Sequence, residues 1–143
     1  MTDASTHKHQ IAVVGGGAAG LVVAFGAAAA GIDVALIEAD RLGGECTWTG
    51  CVPSKTFIDA ARRVHEARTS SHIGIGASDV TIDFARLMRH VHDTSAHIAA
   101  EEGTQRARAA GISVYESFAR FEDSSTLALD SGERIRAKRI VLA

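Results

Sequence analysis

Residues 11 to 20 read IAVVGGGAAG. Ile11 to Val14 is an apolar run without alternation, which suits a strand covered on both faces. The glycines that follow fit G-x-G-x-x-G at Gly15, Gly17 and Gly20. In that spacing the first glycine permits a tight turn, the second lets backbone approach a pyrophosphate, and the third lets the helix pack close to the strand. Ala18 to Ala30 is small and apolar on all sides, so a buried helix is expected, with Gly31 as its C-cap. Val34 to Ile37 is the second strand, and Glu38 ends it. Glu38 lies 18 residues after Gly20. There a carboxylate can accept both hydroxyls of an adenosine ribose and repel a 2′-phosphate. Strand, glycine turn, helix, strand and acid together predict a dinucleotide site. A glycine turn with no ligand would leave Glu38 without a reason.

Composition bounds the rest. The 143 residues are 46% hydrophobic and 22% charged, which is ordinary globular usage. Residues 1–9 read as a flexible N-terminal tail and 10–143 as one domain. Formal net charge is −2, with no basic run to track a phosphate backbone, so no nucleic-acid partner is expected. Ile11 to Ile32 carries no charge and is long enough to span a bilayer. Six of those 22 residues are glycine, however, which breaks the stretch into strand, turn and helix. A cytoplasmic protein with no membrane partner is the expectation.

Both cysteines lie in GGECTWTGCVPSK, residues 43 to 55. Three readings compete for Cys46 and Cys51. Zinc takes four ligands, and no histidine stands nearby with ligand spacing. Two inert buried thiols are the plainest reading. The third is a redox pair, and the flanks favour it. Gly43 and Gly44 free the backbone to bend toward a ligand. Pro53 sits where a helix begins, and Ser54 to Arg68 reads as helical. That sets Cys51 near a helix N-terminus, where the dipole and Lys55 favour a thiolate.

These residues carry a resemblance. GGECTWTGCVPSK is similar to the GGxCxxxGCxPSK of the class I pyridine nucleotide-disulfide oxidoreductases, the family of dihydrolipoamide dehydrogenase, glutathione reductase and mercuric reductase. VVGGGAAG and the closing RIVLA resemble the same family. The resemblance implies a Rossmann-like FAD/NAD(P)-binding domain, truncated, with FAD rather than NAD at the first dinucleotide site. It implies that Gly15, Gly17, Gly20, Glu38 and Gly44 hold that cofactor. Cys46 would be the interchange thiol that attacks substrate, and Cys51 the charge-transfer thiol beside the flavin. Lys55 would lie near the flavin N5 edge, and the backbone at Ala119 would meet the adenine end. Trp48 and Thr49 depart from the smaller or aliphatic residues of many members. The wording leans toward mercuric-reductase-like members, whose mercury handling needs cysteines beyond these two.

The middle of the chain adds decoys. Asp83 to Glu102 is amphipathic, with Phe84, Leu87, Met88, Val91 and Ile98 on one stripe. His90 and His92 point to different sides of that helix, so no metal site is expected. His97 and Glu102 match the family's His-x₄-Glu spacing but diverge by about 140° on a helix. The match is rejected.

After Gly111, Ile112 to Tyr115 reads as the next parallel strand. Ser117 to Phe121, Thr126 to Leu129 and Arg134 to Arg136 suggest an antiparallel meander, and Ile140 to Ala143 a further strand. The expected fold is α/β: a parallel central sheet ordered 112–115, 34–37, 11–14, 139–142, plus the antiparallel β-meander. By resemblance, NAD(P)H acts only through a domain absent from these residues. A further absent domain would make the full-length parent a homodimer. Electrons would pass from NAD(P)H to FAD, then to Cys46 and Cys51, then to a small-molecule or dithiol substrate. Two other readings stand beside this one: a catalytically inactive flavin-binding fragment, and a cofactor-free dithiol exchange module.

Overall fold

The computed structural model describes residues 5–75 and 79–143. The chain divides into two compact units, one of residues 1–44 and 99–143 and the other of residues 45–98.

The first unit is built on a six-stranded sheet ordered β3-β2-β1-β6-β5-β4. Its strands are β1 (Thr6–Val14), β2 (Val34–Glu38), β3 (Ser113–Glu116), β4 (Ala119–Phe121), β5 (Thr126–Leu129) and β6 (Arg134–Leu142). β2, β1 and β6 run parallel, as do β2 and β3, while β4, β5 and β6 form the antiparallel meander. The expected strand order is the observed one.

Two apolar clusters explain why the first strands do not alternate. Val13, Val34 and Leu36 pack on one face with Leu21 and Ala24 of helix α1 (Ala18–Ala29) and with Ala107 of helix α5 (Thr104–Ala109). Ala12, Ala35 and Ile37 pack on the other face with Leu127, Leu129 and Ile135 of the meander. Each strand is thus buried twice, and apolar residues are favoured at every position.

Helices α1 and α5 end alike. The N–H of Ile32 donates to Ala27 at 3.1 Å, and that of Gly31 to Ala28 at 2.9 Å. Ile112 donates to Ala107 at 3.1 Å, and Gly111 to Arg108 at 3.0 Å. Both are left-handed glycine closures, with φ of 76° and 82°, that deliver an isoleucine into the core and lead into a parallel strand.

Two strands are longer than the sequence suggests. β1 begins at Thr6, so residues 6–9 of the expected tail are strand, paired with Arg134 to Ala137. Residues 1–4 lie outside the described residues. Polar side chains hold this extension: the His9 ring joins Asp33 Oδ1 at 3.0 Å and the Tyr115 hydroxyl at 3.1 Å, while His7 meets Glu133 at 3.1 Å. The N–H groups of Gln10 and Ile11 both donate to the Asp33 carbonyl, a bulge where the polar half of β1 meets its apolar half. β6 likewise joins two expected strands into one. Its start pairs antiparallel with β5, and its whole length parallel with β1.

The second unit is helical. A short helix α2 (Gly44–Trp48) leads into α3 (Cys51–Thr69), followed by a 3-10 turn (Ser70–Ile73) and α4 (Phe84–Glu102). Helix α3 starts three residues before the expected Ser54, so Pro53 stands in its first turn, where its missing N–H has no helical partner to lose. Phe57 and Phe84 bring α3 and α4 together with ring centroids 6.3 Å apart. No helix among the described residues is long and apolar enough to cross a membrane.

Candidate functional site

The three fingerprint glycines answer to three different constraints. Gly15 has φ of 106°, and a Cβ there would stand 2.1 Å from the Ala143 carbonyl oxygen. A Cβ on Gly20 would stand 1.8 Å from the Gly15 carbonyl oxygen and 3.4 Å from Val13, so this glycine lets α1 lie against β1. Gly17 differs. Its φ of −75° suits any residue, and a Cβ there would meet nothing within 4 Å. Among the described residues nothing requires glycine at position 17, and its open side lies at the N-terminus of α1, where no side chain caps the free N–H groups. That is the space and polarity a pyrophosphate needs.

Gly43 and Gly44 dock on the same loop. The Gly43 N–H donates to the Gly16 carbonyl at 2.9 Å, and a Cβ on Gly44 would come within 2.9 Å of Gly17 Cα. Gly44 also has φ of 57°.

Glu38 is half-buried and bridges two backbone donors. Its Oε2 accepts the Gly16 N–H at 2.6 Å and its Oε1 the Asp40 N–H at 2.8 Å. Each carboxylate oxygen keeps a second lone pair. Beside it, the Ser117 N–H donates to the Glu38 carbonyl at 2.9 Å. This tie brings the start of the meander to the end of β2. A cleft of about 170 Å³ results, lined by Gly15, Glu38, Ser117, Phe118 and Ala119. Phe118 is exposed, with the Arg120 guanidinium over its ring at 5.1 Å. Sequence reasoning missed Gly16, Ser117 and Phe118. The third consecutive glycine was the available signal for Gly16: a Cβ there would meet Leu42 at 2.2 Å and the Glu38 carboxylate at 3.1 Å.

Cys46, Cys51 and Lys55 lie together in the helical unit. Cys46 is half-buried on α2, whereas Cys51 is exposed in the first turn of α3. Both are free thiols, and they hydrogen-bond to each other. That bond, with smaller contributions from desolvation and from the charge of Cys51, raises the Cys46 thiol above its ordinary 9.0. The Cys51 N–H bonds the Cys46 sulfur and opposes the rise, and the Lys55 charge opposes it more weakly. Lys55 and the first turn of α3 therefore act on Cys46. Among the described residues no group of three or more His, Cys, Asp or Glu could hold a metal ion.

A parallel sheet with a glycine turn after its first strand and an acid closing its second defines a Rossmann-like dinucleotide-binding domain. The chain belongs to the pyridine nucleotide-disulphide oxidoreductase family, whose pattern matches residues 9–143. It is 34% identical over 124 residues to a dihydrolipoyl dehydrogenase of Haloferax volcanii, covering 86% of this chain and 26% of that protein. It is 28% identical to a mercuric reductase of Bacillus cereus, over 100% of this chain and 22% of that protein. Among solved structures it resembles the HOCl-induced flavoprotein disulfide reductase RclA from Escherichia coli, with a TM-score of 0.75 and 24% identity, over 94% of this chain and 28% of that one. The chain thus spans about a quarter of the length of these relatives.

Proposed function

We propose that these residues form the FAD-binding and dithiol portion of an NAD(P)H-dependent disulfide oxidoreductase. The observation that carries the reading is the cleft that joins Gly15, Glu38 and Ala119, together with a glycine at position 17 whose open side no described residue fills. Gly17 would leave room for a pyrophosphate at the start of α1, with Gly15, Gly20 and Gly44 shaping the loop around it. The free lone pairs of Glu38 would accept two ribose hydroxyls, and backbone at Ala119 would meet the adenine. FAD, when bound and once reduced by NAD(P)H, would pass on the electron pair that reduces the Cys46–Cys51 disulfide.

The thiols then do the exchange. Cys46, as thiolate, attacks one sulfur of a substrate disulfide and expels the other sulfur as a thiolate, which takes up a proton. Cys51 gives up its proton and attacks the Cys46 sulfur. The second substrate thiol leaves, and a Cys46–Cys51 disulfide forms. The substrate gains two electrons and two protons, and the cysteine pair loses the same. Lys55 favours the attacking thiolate by its charge. NAD(P)H would be bound by another part of the parent protein, because these residues contain one dinucleotide fingerprint. A homodimer acting on a small-molecule or dithiol substrate, in the cytoplasm, is the corresponding proposal for the parent.

Titration with FAD, followed by flavin fluorescence, tests the reading. Saturable binding, weakened by Glu38→Ala, supports it. No binding by protein with a native circular dichroism spectrum overturns it and leaves the dithiol module.

A further inference from the structure

A second cavity, of about 420 Å³, opens at the other end of β1 and is lined by Lys8, His9, Ser125, Arg136, Ala137 and Lys138. The parallel register sets Lys8 directly beside Arg136, and Lys138 follows two residues along the same strand. All three cationic side chains are exposed. Like charges opposite one another on neighbouring strands are destabilising, so this arrangement has a cost. It is not a by-product of a basic chain, because formal net charge is −2.

Neighbouring cations are neutralised. Arg134 pairs with Glu122 and Arg120 with Asp130, but Lys8, Arg136 and Lys138 have no ion pair among the described residues. The Asp123 Oδ1 takes the Ser125 N–H at 2.7 Å and the Ser125 hydroxyl at 3.0 Å rather than pairing with these cations. Two ammonium groups and a guanidinium around a cavity of this size outweigh the charge of a phosphate monoester, supply donors for its oxygens and leave volume for a small organic body.

We propose that the Lys8–Arg136–Lys138 cavity binds a soluble phosphate monoester, at a site separate from the glycine cleft. The glycine loop could also take phosphate, so the test must tell the two apart. Amide resonances of the 143-residue protein would be followed by NMR while inorganic phosphate, and then glycerol 3-phosphate, is added against sodium chloride of equal ionic strength. The expected result is saturable movement at Lys8, Ser125 and residues 136–138 with either phosphate and not with chloride. Glycerol 3-phosphate should be the tighter of the two. Arg136→Gln with Lys138→Gln should weaken that response about tenfold or more, as removal of charge-assisted bonds does. Gly17→Val, which blocks the glycine loop, should leave it unchanged. An equal response to chloride, movement confined to residues 15–20, or a response that survives the double substitution would overturn the proposal.

Discussion

The carboxylate of Glu38 accepts the backbone N–H of Gly16 at 2.6 Å, so the acid that closes β2 grips the glycine turn that follows β1. Glu38 is therefore part of the fold of the loop as well as a candidate ribose ligand. Glu38→Ala should leave the Gly16 and Asp40 N–H groups unpaired and lower unfolding stability by about 1–3 kcal/mol, even without FAD. It should also weaken FAD binding by a similar amount. A chemical-denaturation midpoint measured without cofactor checks the first effect. An unchanged midpoint would show that water takes over both N–H groups at no cost.

Gly17 and Gly20 are three residues apart and should respond oppositely to alanine. Gly20→Ala forces a methyl group to within 1.8 Å of the Gly15 carbonyl oxygen. Helix α1 must then move off β1, at about 3 kcal/mol, the upper range of overpacking changes. Gly17→Ala meets nothing within 4 Å and should change stability by less than about 0.5 kcal/mol. Its effect should appear in FAD affinity alone. Equal loss of stability in both variants would mean that position 17 is a structural glycine.

The thiol chemistry carries a pH prediction. A raised pKa favours the protonated thiol, so Cys46 should be alkylated slowly at neutral pH. Its rate should climb through a pH above 9.0, the ordinary thiol value. Cys51→Ala removes the hydrogen bond that is the largest cause of the rise, so the midpoint should fall. Lys55→Met removes an opposing charge, so the midpoint should rise further. Iodoacetamide rates against pH, with peptide mapping to assign the site, measure all three. Under mild oxidation the wild-type pair should close to one reversible intrachain disulfide, seen as a loss of about two hydrogens in the intact mass.

Much of this architecture is legible in IAVVGGGAAG and GGECTWTGCVPSK, because steric and charge requirements there fall on a few residues. The rest hides for identifiable reasons. Thr6 to His9 looks like a tail since it is polar. Its order comes from His9 reaching Asp33 and Tyr115, partners far away in the chain, and no local pattern announces that. The unity of β6 is hidden because Arg134 to Arg139 is rich in charge, and only pairing with β1 on one side and β5 on the other makes it a strand. Sequence reasoning missed helix α5, although AAGI occurs at residues 29–32 and again at 109–112, and both copies close a helix in the same way. The effect of Lys55 on Cys46 was not readable, because the two lie on different helices and their approach depends on how the loop between them folds.

The 143 residues alone should show no NAD(P)H-dependent disulfide reduction, even with FAD supplied. Hydride transfer requires a nicotinamide held against the acceptor, and that positioning supplies much of the rate. One G-x-G-x-x-G is present, and on the proposed reading FAD occupies it. Thiol exchange should also be slow near neutral pH, because the raised Cys46 pKa leaves little thiolate. A chemically reduced sample should still perform one round of exchange with a small disulfide and release two thiols as Cys46 and Cys51 close. The measurement pairs that single-turnover thiol release with steady-state loss of NADH or NADPH absorbance, each against free FAD. Thiol release without steady turnover is the expected outcome. Steady turnover above the free-FAD control, abolished by Cys46→Ser, would show that these residues bind both nucleotides, and the assignment of one cofactor to one cleft would fall.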